Sequence, residues 1–278
     1  MSDPDRDARI RSYYRTTREF DRLGNDEGFV EFFRTMRLIE RQFVAGSTVL
    51  DLGGGPGRYT LELAQRGFHT TLLDFSPEQI GEAQTRVATL HPEVQANVDA
   101  CVVGDARVLP EQWSQRFDAV LCAGPLYHCD GEAEAEQVLS EVRRILKPGG
   151  RCIGAFIPRL TAVSGLIARA AALPEQLPVG TLTDVFETGS FENPVDTAFG
   201  AAFFIDPGPL RRLAESLGFE VLSVESVRGL AAPYCSAFRS LSEQQPELFE
   251  EALDLIERSA SLPEVVAMAS HAVIVLQR

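Results

Sequence analysis

Long apolar runs are missing from this 278-residue chain. Those present fall far short of the roughly 20 residues that a membrane-spanning helix needs, so no membrane partner is expected. The opening Met1-Ser2-Asp3-Pro4-Asp5-Arg6-Asp7 lacks the apolar core of a secretory leader, which predicts a cytoplasmic protein. Basic residues are in deficit: 26 Lys and Arg stand against 40 Asp and Glu, for a net charge of -14. That balance repels a phosphate backbone, and no nucleic-acid partner is expected. The short pairs Arg143-Arg144 and Arg211-Arg212 fall on helix faces predicted to be solvated. Cys101, Cys122, Cys129, Cys152 and Cys235 form no C-x-x-C pair and read as reduced thiols, mostly buried in strands. Cys122 and Cys129 flank one segment of interest, but no third cysteine has suggestive spacing, so no metal is expected. Internal repeats and low-complexity tracts are absent too.

What remains is an alternation of strands and helices. To about residue 45 the chain reads as helical, with Phe29, Phe32, Phe33, Met36, Ile39, Glu40 and Phe43 on a mainly apolar face. Thr48 to Leu52 is a short buried strand ending in glycines, followed by a helix from Tyr59 to Arg66 that Gly67 stops. Thr70 to Asp74 is a second strand. Ser76-Pro77-Glu78-Gln79 opens the next helix, with Ser76 as cap, Pro77 in the first turn and Gln79 completing a capping box. Strands follow at 97–103, 117–122 and 151–157, with a helix over 132–146 before the last. Such alternation predicts a parallel sheet covered on both faces. Residues 158–205 break the pattern with a helix over 162–172 and then repeated Pro and Gly, too long for a plain connector. They read as an inserted cap. A helix from Asp206-Pro207 to Gly218, a strand over 219–227, a helical insertion over about 235–261 and a final strand at 273–276 complete the chain.

The chemistry-bearing segment is Asp51-Leu52-Gly53-Gly54-Gly55-Pro56-Gly57-Arg58, set between a strand and a helix. Glycines there permit a sharp turn and close approach of a ligand, and the helix N-terminus favours a negative or polar group. A tight turn with no ligand has the same look, so the neighbours matter. Arg58 occupies the place where a dinucleotide fingerprint has its third glycine, which speaks against a nicotinamide-dependent oxidoreductase. The Gly-Lys-Ser/Thr of a phosphate loop is absent. Asp74 closes the second strand about 20 residues on, where a ribose is gripped in such folds; it can equally cap the following helix. Gly104-Asp105-Ala106 closes the third strand, as an adenine-edge reader or as a turn.

These residues together resemble the class I, Rossmann-like S-adenosylmethionine-dependent methyltransferases. Val49 to Gly57 is similar to their first motif, Asp74 to their ribose-binding acid, Phe75 to the residue packing on adenine, Asp105-Ala106 to their adenine contact, and Leu146-Lys147-Pro148-Gly149-Gly150 to the turn before their fifth strand. The resemblance implies a seven-stranded, mostly parallel α/β sheet with helices on both faces, strand seven antiparallel, and a helical or irregular substrate cap. It implies S-adenosylmethionine as cofactor, released as S-adenosylhomocysteine. Residues 1–45 are then an N-terminal helical lid, and 46–278 the methyltransferase domain, with cap insertions at about 158–205 and 230–262. Cofactor contacts are expected from Asp51, Gly53, Gly54, Gly55, Gly57, Asp74, Phe75, Ser76, Gly104, Asp105, Ala106, Cys122, Ala123 and Gly124. Gly53 and Gly55 lie against the methionine part on this reading; Arg58 pairs with a carboxylate or faces solvent. Tyr13, Tyr14 and Arg18 either close over the cofactor or only pack.

The segment Leu121 to Cys129, with Ala-Gly-Pro-Leu-Tyr-His at its centre, faces the reactive methyl in that family. It lacks the Asn/Asp-Pro-Pro-Tyr/Phe of enzymes that methylate base amino groups or protein glutamine, and points to a small-molecule acceptor, partly apolar. His128 is the candidate general base, since an imidazole titrates near neutrality; its other reading is a pocket-shaping or helix-capping residue. Tyr127 positions substrate or packs on the cofactor. His69, His91 and His271 read as structural. Phe186, Phe191, Phe199, Phe203, Phe204, Tyr234 and Phe238 of the cap line an acceptor pocket or form the cap's own core. The competing function is a non-catalytic cofactor-binding regulatory module.

Overall fold

The computed structural model describes residues 4–16, 19–193 and 201–278. Three helices lead the chain: α1 (Pro4–Thr16), α2 (Glu19–Arg22) and α3 (Asp26–Gln42). The alternating part then runs β1 (Thr48–Leu52), α4 (Arg58–Gln65), β2 (His69–Asp74), α5 (Pro77–Val87), α6 (Pro92–Gln95), β3 (Val98–Val103), β4 (Phe117–Cys122), α7 (Glu132–Ile145) and β5 (Leu146–Phe156). After it come α8 (Arg159–Ala172), α9 (Thr181–Thr188), β6 (Ser190–Glu192), β7 (Ala201–Phe203), α10 (Pro207–Ser216), β8 (Glu220–Ser226), α11 (Cys235–Gln244), α12 (Pro246–Ser259), α13 (Pro263–Ala267) and β9 (Ala272–Gln277).

Seven strands form one sheet in the order β3-β2-β1-β4-β5-β9-β8. The first five are parallel, and β9 runs antiparallel to both β5 and β8. The sequence-based expectation of a seven-stranded, mostly parallel sheet with an antiparallel last strand is met. β1 pairs with β2 on one side and β4 on the other, Leu50 aligning with both Thr71 and Val120. The strand order therefore reverses beside β1, and open α/β sheets leave a crevice at the carboxyl ends of the strands at such a point.

Period-2 alternation along β1 sorts its side chains between two covers. Leu50 and Leu52 join a core with Val138, Leu139 and Val142 of α7 and with Leu210 and Leu213 of α10. Val49 joins the opposite core, with Phe32, Met36 and Ile39 of α3 and with Tyr59 and Leu63 of α4. Each fully buried leucine contributes about 1.5–3 kcal/mol by removal from water. Asp51 shares the face of Val49, which carries its carboxylate beneath α4. Of the apolar face read on α3, Phe33 is the exception: it is exposed, while Phe32, Met36, Ile39 and Phe43 are buried.

The capping box expected at Ser76 is half made. The Ser76 hydroxyl accepts from Gln79 N at 3.3 Å, but Ser76 N donates to Asp74 Oδ1 at 2.8 Å. Asp74 lies two residues back and reaches that N–H first, so the Gln79 side chain is released for another contact. In the segment read as a cap, β6 and β7 form a small antiparallel pair, and Phe191 and Phe204 pack with Ala162, Leu166 and Val185. Phe203 belongs to the main core, and Phe238 packs beside Phe249. Phe186 and Tyr234 are exposed, and Phe199 lies outside the described residues. Phe191, Phe204 and Phe238 thus serve the insertions' own cores.

Candidate functional site

The cleft lies at the carboxyl ends of β1, β2 and β4 and encloses about 1160 Å³, counted to its open mouth. Its floor is the glycine turn. Gly53 has a φ of +72° and donates its N–H to the Leu73 carbonyl of β2 at 2.7 Å. A Cβ there would meet the Pro125 ring at 2.7 Å, so the turn and the β4 loop touch through a side chain that is missing. Gly57 caps α4 without a side chain to satisfy its first N–H groups.

Asp51 fills that gap from below. Its Oδ2 accepts from Thr60 N at 3.1 Å and from Thr60 Oγ1 at 2.7 Å, which makes it the cap of α4 although it is nine residues upstream. The other oxygen, Oδ1, is buried with no hydrogen-bond partner among the described residues. Burial pushes the carboxyl up to about 6, against the Thr60 bonds that favour the ion. An acid in this state attracts a cationic donor, because a buried charge needs a partner.

Asp74 ends β2 on the opposite wall. Its Oδ2 accepts from Gly55 N and its Oδ1 from Ser76 N, both at 2.8 Å. It closes the turn before α5, whose cap is Ser76 rather than Asp74, and its oxygens keep lone-pair capacity for a ligand. Burial raises its pKa above the ordinary range. Beyond it, Phe75 carries the Arg11 guanidinium over its ring at 3.9 Å.

Asp105 is differently engaged. Arg107 holds it through Nε at 2.9 and 3.0 Å and through Nη2 at 2.7 Å, and its backbone N–H donates to the same carboxylate at 2.8 Å. Although burial opposes it, this pairing keeps the Asp105 carboxyl below the usual range. Arg107 also reaches Asp7 of α1 at 3.0 Å and Glu134 of α7 at 2.8 Å. One guanidinium therefore gathers three carboxylates at the rim.

α1 lies across the cleft. Asp7, Ile10, Arg11 and Tyr14, spaced by three and four, line it. Arg6 donates to the His128 carbonyl at 2.7 Å and to the Cys129 carbonyl. The side-chain amide released at Gln79 donates to the Tyr14 carbonyl at 2.7 Å.

The β4 wall ends in Ala123 to Cys129. Tyr14 and His128 meet here, hydroxyl to Nε2 at 2.7 Å. Burial lowers the His128 imidazole to about 4, against a backbone bond at Ala201 that favours the proton, so the ring is neutral at physiological pH. Tyr127 donates its hydroxyl to the Ala123 carbonyl at 2.8 Å, and its ring stacks on His271 at 5.7 Å. Behind them Glu31 collects Arg22 at 3.1 Å, Arg228 at 3.2 Å and His271 at 3.0 Å. Although burial opposes it, these partners hold the Glu31 carboxyl well below its ordinary range.

Of the residues singled out by sequence, the cleft brings together Tyr14, Asp51, Gly53, Gly54, Gly55, Arg58, Asp74, Phe75, Ser76, Gly104, Asp105, Ala106, Ala123, Gly124, Tyr127 and His128. Gly57 shapes the turn behind it. Cys122 is fully buried in the core, and Tyr13 stands edge-on to Tyr14 outside the lining. Arg58 is half-buried and pairs with no carboxylate among the described residues: it lies over the Phe32 ring at 4.3 Å and the Phe20 ring at 5.4 Å. Arg18 lies outside the described residues. No described residue of 158–205 or 230–262 lines the cleft. Sequence reading missed Asp7, Arg11, Glu19, Arg22, Arg107 and Glu134. His271, read as structural, is the ring beneath Tyr127.

Comparison with known proteins places this architecture. Residues 49–150 match the methyltransferase domain family. The ubiquinone/menaquinone biosynthesis C-methyltransferase UbiE of Acidiphilium cryptum is 31% identical over 216 residues, covering 73% of this chain and 80% of that protein. The ubiquinone biosynthesis O-methyltransferase of Xylella fastidiosa strain 9a5c is 34% identical over 146 residues, 52% of this chain and 56% of the relative, so the chain spans little more than half the length of that relative. Among solved structures, a protein of Pyrococcus horikoshii OT3 shares the fold with a TM-score of 0.63 at 20% identity, covering 96% of this chain and 97% of the other. The glycine turn, the strand order and the extended similarity agree, and the chain belongs to the class I, Rossmann-like S-adenosylmethionine-dependent methyltransferases.

Proposed function

We propose that the protein transfers a methyl group from S-adenosylmethionine to an O, N or C atom of a small, partly apolar acceptor in the cytoplasm. The observation that carries this reading is Asp51 Oδ1, a buried acceptor lining the cleft without a partner among the described residues. It suits the ammonium of the cofactor's methionine part. The other walls fit as well: Gly53 and Gly55 lie where that chain would run, the Asp74 oxygens suit ribose hydroxyls, and Phe75 with Ala106 suits the adenine. Asp105, occupied by Arg107, serves the adenine side by holding the rim as much as by direct contact.

When bound, the cofactor supplies a methyl already activated on a sulfonium, which leaves with its C–S electron pair retained by sulfur. The protein's part is then to align the acceptor behind that methyl and to exclude water. Ala123 and Gly124 keep the β4 wall low where the acceptor must approach. His128, neutral and buried, offers its lone pair to the proton that the acceptor loses, as a weaker base than an ordinary imidazole because burial lowers it to about 4. Tyr127, anchored to Ala123, keeps its ring against that end of the cleft. We read residues 1–45 as a lid and 158–205 with 230–262 as cap insertions on the domain formed by 46–278. The relatives' names, both in ubiquinone biosynthesis, support an aromatic or otherwise apolar acceptor.

Calorimetric titration with S-adenosylhomocysteine, with NAD as control, tests the reading. Binding of the former alone is expected. Absence of that binding, or a preference for NAD, overturns it.

A further inference from the structure

Tyr14 spans the cleft. Its carbonyl is held on the β2 side by Gln79, itself buried on α5, and its hydroxyl reaches Nε2 of His128 on the β4 side at 2.7 Å. The two rings meet edge-on with centroids 5.5 Å apart. The same helix grips the main chain of that segment through Arg6, on the carbonyls of His128 and Cys129. α1 therefore fixes both the backbone and the imidazole of His128, and it does so only when it lies across the cleft.

A neutral imidazole has one donor nitrogen and one acceptor nitrogen, and the bond made by one side sets the state of the other. The Tyr14 hydroxyl has no other acceptor among the described residues, so among them its O–H is satisfied only by donating to Nε2. That leaves Nε2 as the lone-pair side. A phenol meeting an imidazole lone pair donates to it, and the short distance suits an O–H donor.

We infer that Tyr14 is a positioning residue: its hydroxyl, delivered by α1, donates to Nε2 and holds His128 in the Nδ1–H tautomer with its basic lone pair in the cleft. An acceptor's ionisable proton then meets a base already in the right tautomer, taking the place that the Tyr14 hydroxyl keeps. The consequence is that closing the cleft and preparing the base are one event, because the residue that does the second is carried by the helix that does the first. This inference rests on the methyltransferase reading for its purpose, but the pairing itself stands apart from it.

The test is long-range ¹H–¹⁵N correlation of the histidine ring nitrogens in the full-length protein, without and with S-adenosylhomocysteine. The chain has four histidines, and single His69→Gln, His91→Gln and His271→Gln variants assign the remaining signals. The expected result is a neutral His128 with Nδ1 protonated and Nε2 unprotonated. In Tyr14→Phe, which keeps the ring and removes only the hydroxyl, the Nε2 resonance should move toward that of an imidazole nitrogen with no donor, and the ring should protonate at a higher pH. An Nε2–H tautomer in the unmodified protein overturns the inference, as does an Nε2 resonance and protonation midpoint unmoved in Tyr14→Phe. If that variant does not fold, the tautomer of the unmodified protein decides alone. Failure to bind S-adenosylhomocysteine would sink the methyltransferase reading while leaving the tautomer result to stand by itself.

Discussion

Gly54 stands so close to Asp51 that a Cβ built on it would fall 2.5 Å from both the carboxyl carbon and Oδ2. The second glycine of the turn is thus required by a neighbour within the chain, before any ligand is considered. Gly54→Ala must push the carboxylate off Thr60 or bend the turn. Such overpacking costs about 1–3 kcal/mol. A lower Tm is expected, together with a loss of more than about tenfold in affinity for S-adenosylhomocysteine, which corresponds to about 1.4 kcal/mol.

The state of Asp51 gives a pH dependence with a definite sign. Its folded-state pKa of about 6 lies above the ordinary 3.8. A raised carboxyl binds protons more tightly in the folded state, so its contribution to stability is greatest below about pH 4 and is lost as pH rises to about 6. The difference amounts to about 3 kcal/mol. His128, held at about 4 in the folded state, contributes the opposite slope over much of the same window, so the Asp51 effect is read as a difference: in denaturation over pH 4 to 7, Asp51→Asn should gain stability relative to the unmodified protein as pH rises. Ligand binding should run the other way. An ammonium prefers the ionised acid, so affinity for S-adenosylhomocysteine should fall by up to about tenfold per pH unit below pH 6. Asp51→Asn should flatten that slope; any residue of it reports Asp74, whose pKa is also raised.

Arg107 ties three elements at the rim, and its removal should free the lid more than it harms the core. Arg107→Ala leaves Asp7, Asp105 and Glu134 without the cation they share. Loss of charge-assisted bonds at a partly buried site costs about 1.5–3 kcal/mol each in favourable cases. Hydrogen exchange should accelerate in residues 4–16 first, with the sheet strands unchanged. Equal acceleration in β1 and in α1 would mean that Arg107 serves the whole fold.

Arg34 and Glu225 provide the contrasting case. They pair at 2.6 Å with only 2% and 8% of their side chains exposed, and Arg41 joins at 2.9 Å. This pair pins α3 to β8, remote from the cleft lining. Glu225→Ala removes the nearer carboxylate of a buried guanidinium, leaving it only Glu257 at 3.5 Å, and should cost up to about 3–5 kcal/mol. Thermal unfolding should show that loss, and ligand affinity, measured well below the lowered Tm, should stay within about threefold.

The parts of this molecule legible in the sequence are those written locally. Strand β1, the glycine turn and the acid at the end of β2 lie within about 25 residues, and each carries its own physical signature of period, backbone freedom or helix entry. Asp74 illustrates how far that goes: its turn role and its place on the cleft wall are both set within three residues of it. The rim was illegible because its bonds join distant positions through long polar side chains that leave no periodic trace. Arg6 meets His128 and Cys129 more than 120 residues away, and Arg107 meets Asp7 across 100. The aromatics of 158–205 and 230–262 left two readings open for a different reason: composition does not tell whether a ring is buried, or against what. Gln79 shows the smallest such failure, a residue with the right spacing for a capping box whose partner N–H had already been taken by Asp74.

The last strand, β9, sits between β5 and β8, its apolar residues buried on both sides of the sheet. Ile153 on β5 pairs with Val275 across more than 120 residues of chain. As the polypeptide leaves the ribosome, β1 through β5 can assemble early, but the free edge of β5 must wait for a strand made about 120 residues later. That interval exposes a row of unpaired backbone groups flanked by Cys152, Ile153 and Phe156, a template on which another nascent chain can pair. Slow elongation through 157–271 should therefore increase aggregation of newly made protein, whereas chaperone binding at the β5 edge should relieve it.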